Sequence, residues 1–177
     1  MRVVFSWSYH DEMMKFSGKG ALRVEAPYHA RTDLFGPRGE SLMRSVVIAD
    51  SIHVPAGLPD GLVPPVSLGW AAMGVLRPEP GARLELAAST GDTLTLGYVR
   101  GQEHWRYRIV GGHMRYAEWV GAGSSKRSIE LRGTSSRGLP AQAVYRDWAA
   151  FRELTTTVEE VNESAPFPPD TWDIGTR

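Results

Sequence analysis

Cysteine is absent from the chain, which excludes a disulfide framework, a thiolate metal site and a cysteine nucleophile. Net charge is absent too. Twenty lysines and arginines balance 20 aspartates and glutamates, so no overall field draws the protein to nucleic acid or to an anionic membrane surface. The longest nearly apolar run, Pro64 to Leu76, falls well short of the roughly 20 residues that a membrane-spanning helix needs. No basic-then-apolar signal segment opens the chain, and Met1-Arg2-Val3-Val4-Phe5 reads directly as a strand. The expectation is therefore either a cytosolic protein or one whose export signal lies outside this sequence.

Catalytic motifs are missing as well. No Gly-x-Ser-x-Gly elbow is present, and Ser124-Ser125 falls in a Gly/Ser turn beside Lys126. Gly36 to Gly39 is not followed by Lys-Ser/Thr, so it reads as a hairpin turn and not as a phosphate loop. The five histidines, His10, His29, His53, His104 and His113, lack the spacing of a zinc site. Asp11-Glu12 and Glu159-Glu160 are sequence neighbours; on a strand they point to opposite faces and cannot serve one substrate as acid and base. With no acid, base or nucleophile constellation, the protein is not expected to be an enzyme, and no metal or cofactor is expected.

What the chain does have is period-two alternation. In Phe16 to Ala26 the even positions are Phe16, Gly18, Gly20, Leu22, Val24 and Ala26, with Lys15, Ser17, Lys19, Arg23 and Glu25 among the odd ones. Leu94, Leu96 and Tyr98 repeat the pattern, as do Trp105, Tyr107 and Ile109, then Ile129 and Leu131. Such segments are half-buried strands of an antiparallel sheet with one wet face. Turn chemistry at Gly36-Pro37-Arg38-Gly39, Thr90-Gly91-Asp92, Arg100-Gly101-Gln102, Gly111-Gly112 and Gly121 to Ser125 separates them at hairpin distances. Strands are expected near 2–9, 14–25, 29–35, 41–49, 51–54, 83–88, 92–99, 103–110, 113–120, 126–132, 141–147 and 152–161. The tail after Pro166 looks loop-like or frayed. At 177 residues one domain, 1–177, is expected.

One segment breaks the alternation. Pro64 to Leu76 carries proline at a plausible first helical turn and Arg77-Pro78 as a stop, and it is apolar nearly all round. A helix over Val66 to Leu76 without a polar face must be covered on several sides or sit inside something concave. Its glycines, Gly69 and Gly74, each weaken it by roughly 1 kcal/mol relative to alanine, so tertiary contact must hold it. The expected fold class is thus mainly β: a curved antiparallel sheet forming an incomplete half barrel, with one apolar helix plugging its concave face. The run Tyr145-Arg146-Asp147-Trp148 with Phe151-Arg152-Glu153-Leu154 reads either as a recognition patch or, preferably, as strands with charges paired across the sheet.

Together these segments resemble the LolA/LolB-like bacterial lipoprotein carrier and acceptor family. Phe16 to Pro27 is similar to the family's second strand ending at a proline, and Ala30 to Glu40 to its next strand and hairpin. Ala49-Asp50-Ser51-Ile52-His53-Val54 resembles the step before the helix. Val158-Glu159-Glu160-Val161 and Phe167-Pro168-Pro169 resemble the last strand and its ending. Ala26 stands where carriers often have a lid-latching arginine, so that latch is not transferred, and there is no cysteine for a lipid anchor.

The resemblance implies a periplasmic or outer-membrane-associated protein that binds lipid or acylated lipoprotein in a hydrophobic cavity. It would act as a monomer, without nucleic acid, compatible with peripheral membrane association and with other envelope proteins as partners. The residues expected to form the cavity and its lid are Leu22, Val24, Leu34, Val66, Trp70, Met73, Leu76, Leu94, Leu96, Trp105 and Tyr107, with Trp70 and Met73 pointing together into the hollow. The alternative is a non-enzymatic structural or assembly protein of the envelope whose barrel is permanently filled by its helix.

Overall fold

The computed structural model describes residues 1–55 and 63–173. All the expected strands form: β1 Arg2–His10, β2 Lys15–Glu25, β3 His29–Phe35, β4 Ser41–Ile48, β5 Ser51–His53, β6 Arg83–Thr90, β7 Thr93–Arg100, β8 Glu103–Val110, β9 His113–Val120, β10 Lys126–Arg132, β11 Gln142–Asp147 and β12 Arg152–Asn162. They make one antiparallel sheet of 12 strands in the order β5-β4-β3-β2-β1-β12-β11-β10-β9-β8-β7-β6. The sheet is curved and open. The first and last strands meet in its middle, and β5 and β6 stand at opposite edges.

The chain crosses from one edge to the other through α1, Val66–Ala72, the one α-helix among the described residues. Expected to run to Leu76, it stops earlier because Gly74 adopts φ +76°, a left-handed conformation that ends a helix and that glycine takes without strain. Among the described residues no helix is long and apolar enough to cross a membrane.

Alternation decides which face is dry. Val3, Phe5 and Trp7 of β1 are buried while Arg2 and Val4 are exposed. The dry face of β2 carries Gly20 because the ring of Phe5, its cross-strand partner, fills the place of a side chain, and Gly18 because the Phe35 carbonyl does, with the Trp7 ring close by. A Cβ at Gly20 would sit inside the Phe5 ring. Two apolar clusters result: one of Phe5, Trp7 and Leu34 with Leu22, and a larger one of Leu68, Ala71, Trp105, Tyr107, Met114, Ala117, Ile129, Leu131, Ala143 and Tyr145. Leu154 packs against both.

The wet face is held by charge. Asp33, only 4 % exposed, takes hydrogen bonds from Arg23, Arg31 and Arg44 at 2.6 to 3.2 Å. Burial pushes its carboxyl up, but the three guanidiniums outweigh burial and hold it below the ordinary value. The charges around β11 pair across the sheet, as the preferred sequence reading has it. Arg146 bonds Glu153 and Glu130, and Arg127 bonds Asp147. The tail is more ordered than its composition suggests. Phe167 is buried, its N–H donates to Glu25 Oε1, and its ring meets Trp172 edge-on beside His29.

Candidate functional site

The helix touches protein in three directions, which accounts for its lack of a polar side. Leu68 and Ala71, both 0 % exposed, pack into the larger cluster. Trp70 turns toward the β2–β3 and β4–β5 turns: its ring meets Tyr28 edge-on at 5.7 Å and its Nε1 donates to the Ala49 carbonyl at 2.8 Å. Val66, Gly69 and Met73, spaced i, i+3, i+7 along one helical face, look onto the other half of the sheet. Just past the helix, Arg77 forms a two-pronged pair with Asp50 at 2.7 and 2.8 Å and lies 3.9 Å above the Tyr28 ring.

Between that third face and strands β1 to β4, β11 and β12 lies a cavity of about 170 Å³. Its floor is Val3, Phe5, Leu22, Leu34, Met43 and Leu154, and its roof is Val66, Gly69, Ala72 and Met73. Small residues in the roof leave the space. Thr32, Ser45 and Thr156 are the hydroxyl-bearing residues of the wall. A second, more open cavity of about 380 Å³ sits where β7 to β10 approach the start of the helix, lined by Glu79, Arg100, Glu103, Trp105, Trp119 and Arg127. Ile52, Val63, Pro64 and Val66 line both cavities.

The structure sorts the expected site residues into groups. Leu22, Leu34, Val66 and Met73 meet around the apolar cavity. Tyr107 and Trp105 lie in the larger cluster on the opposite side of the helix, with Leu76 and Leu96 packed against it. Trp70 and Met73 do not point the same way: Met73 roofs the cavity, whereas Trp70 is turned to Ala49 and Tyr28. Val24 is half-buried opposite Ala30 and lines neither cavity. Leu94, expected in the hollow, is 36 % exposed, because the β6–β7 hairpin runs out beyond the cover of the helix. Sequence reasoning missed Phe5, Met43 and Leu154 on the floor, although each sits at an inward position of an alternating strand.

Polar groups are also buried beneath the helix. The hydroxyls of Ser67 and Tyr107 face each other, and the Tyr145 hydroxyl and the indole N–H of Trp105 have no hydrogen-bond partner among the described residues. Burial pushes the Tyr145 phenol up to about 12 and raises that of Tyr107 further. At the open cavity, burial raises the Glu79 carboxyl above its ordinary value against the pull of Arg100. None of these groups forms a nucleophile and base pair; the arrangement can enclose an apolar molecule.

No family model matches the chain, and no curated protein matches it. Solved structures do. A LolA superfamily protein of Nitrosomonas europaea superposes with a TM-score of 0.62 at 10 % identity, covering 97 % of this chain and 89 % of that one. A domain described as outer membrane lipoprotein-sorting, from Vibrio parahaemolyticus, gives 0.60 at 5 % identity over 97 % and 88 %. A DUF1329 family protein of Desulfovibrio piger gives 0.58 at 8 % identity over 98 % and 89 %. The chain therefore has the open-sheet fold of LolA superfamily proteins. The likeness is one of fold, spanning nearly the whole of each chain.

Proposed function

We propose that this protein binds the acyl chains of a lipid or an acylated protein between α1 and the sheet, as a periplasmic or outer-membrane-associated carrier or acceptor in a bacterial envelope. The observation that carries the reading is the apolar cavity under α1, roofed by Val66, Gly69, Ala72 and Met73 of a helix whose far end is tied down by a few polar bonds. Its size is informative. A dry cavity of about 150 Å³ in another protein accommodates benzene, so about 170 Å³ holds the end of an alkyl chain. A whole chain requires the roof to lift.

The energies are commensurate. Each buried methylene contributes about 0.8 kcal/mol, so a dozen give roughly 10 kcal/mol gross. Exposing one large apolar side chain of the roof costs roughly 1.5–3 kcal/mol. Cargo can displace the helix and still leave.

Native mass spectrometry of the purified protein tests the reading, together with titration of a bis-ANS probe displaced by fatty acid. Co-purified lipid or stoichiometric, fatty-acid-sensitive probe binding supports it. A folded protein that takes up neither overturns it in favour of a structural role with a permanently filled barrel, the reading favoured by the complete burial of Leu68 and Ala71.

A further inference from the structure

Four charged side chains line the open cavity beside the helix, and the rest of the protein uses two of them fully and two only in part. Arg100 is committed: its Nε and Nη2 bond Glu103 Oε2 at 3.2 and 2.8 Å, and its Nη1 bonds the Pro80 carbonyl at 3.3 Å. Glu103 is likewise filled, accepting from Trp119 Nε1 through its other oxygen at 3.1 Å. Arg127 is not. Its Nε bonds Asp147 at 3.0 Å and its guanidinium lies 5.1 Å from the Trp119 ring. Its two terminal nitrogens have no acceptor among the described residues.

Glu79 is the counterpart of opposite sign. Its side chain is 26 % exposed and has only a 3.6 Å ion pair with Arg100. It makes no hydrogen bond among the described residues, and its burial raises the cost of holding charge there. A guanidinium with two terminal nitrogens left to donate and a carboxylate held only by a long ion pair thus line a single cavity. Trp105, 2 % exposed, lines the same space, and its buried N–H is unpartnered among the described residues. Four residues of this lining are shared with the apolar cavity.

We propose that this mouth is the headgroup site for a zwitterionic amphiphile of the phosphoethanolamine type, with its phosphate on Arg127 and its ammonium on Glu79 while its alkyl chain occupies the apolar cavity. A purely anionic headgroup meets Glu79 and Glu103. A purely cationic one meets Arg127 and Arg100, and the indole faces near these guanidiniums are already taken. Only a group carrying both charges satisfies both walls. The inference rests on the acyl-binding reading and names the class of lipid that it favours.

The test is displacement of bis-ANS by three amphiphiles of one chain length, each below its critical micelle concentration: lysophosphatidylethanolamine, lysophosphatidylglycerol and the fatty alcohol. The wild type is expected to prefer the ethanolamine lipid over the glycerol lipid by about tenfold or more, the size of one charge-assisted hydrogen bond. In Glu79→Gln, checked for a native thermal melt, that ratio should fall toward unity. In Arg127→Gln, both phospholipids should weaken about tenfold relative to the alcohol. Binding of the alcohol with equal affinity for the two phospholipids, or a preference that survives Glu79→Gln, overturns the headgroup site alone. Failure of all three amphiphiles to bind overturns the acyl-binding reading along with it.

Discussion

The indole N–H of Trp70 donates to the carbonyl of Ala49 at 2.8 Å, across a turn where Ala49 holds φ +51°. A side-chain-bearing residue seldom adopts that conformation, so the bond both seats the helix and steadies the turn. Trp70 is 2 % exposed. Trp70→Ala is expected to cost about 3–5 kcal/mol as a buried large-to-small change. If lipid competes with the helix for the sheet, fatty acid should restore part of the lost melting temperature through linkage. A melt of the variant with and without lipid measures both effects, and a destabilised variant that lipid does not rescue would tell against a movable helix.

Arg77 offers a gentler release. Its pair with Asp50 is partly solvated, so Arg77→Ala should lower stability by less than about 1 kcal/mol. It should nevertheless loosen the end of the roof and raise the rate at which bis-ANS enters. Stopped-flow fluorescence reads that rate, and an unchanged rate would show that the helix end does not limit entry.

Tyr145 carries a buried hydroxyl without a partner among the described residues. Tyr145→Phe removes the unsatisfied group while keeping the ring, so stability should be unchanged or rise by up to about 1–3 kcal/mol. The pH dependence has a definite sign. The folded phenol ionises near 12 and the unfolded one near 10, so the unfolded state loses its proton first and stability falls as pH rises above 10. The phenylalanine variant should lose less stability than the wild type between pH 10 and 12, as read by urea melts across that range.

Asp33 has the opposite dependence. Its folded carboxyl lies below the ordinary value of 3.8, so its contribution is complete at neutral pH and is lost as pH falls from about that value through the depressed folded one. Asp33→Asn should cost about 1–3 kcal/mol at pH 7, because it leaves three arginines facing one another. The difference from wild type should shrink as pH falls through the depressed folded value, as read by urea melts from neutral to strongly acidic pH. A gap that stayed constant over the whole range would assign the loss to packing instead of charge.

The strands were legible because alternation survives even where composition is odd. Gly18 and Gly20 kept the even-position pattern, and a side chain at either would collide, with the Phe35 carbonyl and the Phe5 ring respectively. The helix was legible as a break in that pattern, but its end was not, because Gly74 acts as a stop before Arg77-Pro78 does. Within the site, Leu22 and Leu34 could be found from alternation alone. Trp70 could not be placed, since an all-apolar helix gives no sign of which face meets which wall. The mouth was invisible for a different reason: Arg127, Glu79 and Glu103 look like the solvated charges of any strand end, and only the three-dimensional hydrogen-bond inventory separates the committed from the uncommitted.

The crossover from β5 to β6 joins the two edges of an open sheet. Nearly every other link is a hairpin between neighbours, so the sheet behaves as a bow and the segment carrying α1 as its string. On the proposed reading, lifting the roof for cargo pulls on both edges of the sheet at once, and a cross-link that fixed the separation of β5 and β6 should slow the uptake of bis-ANS.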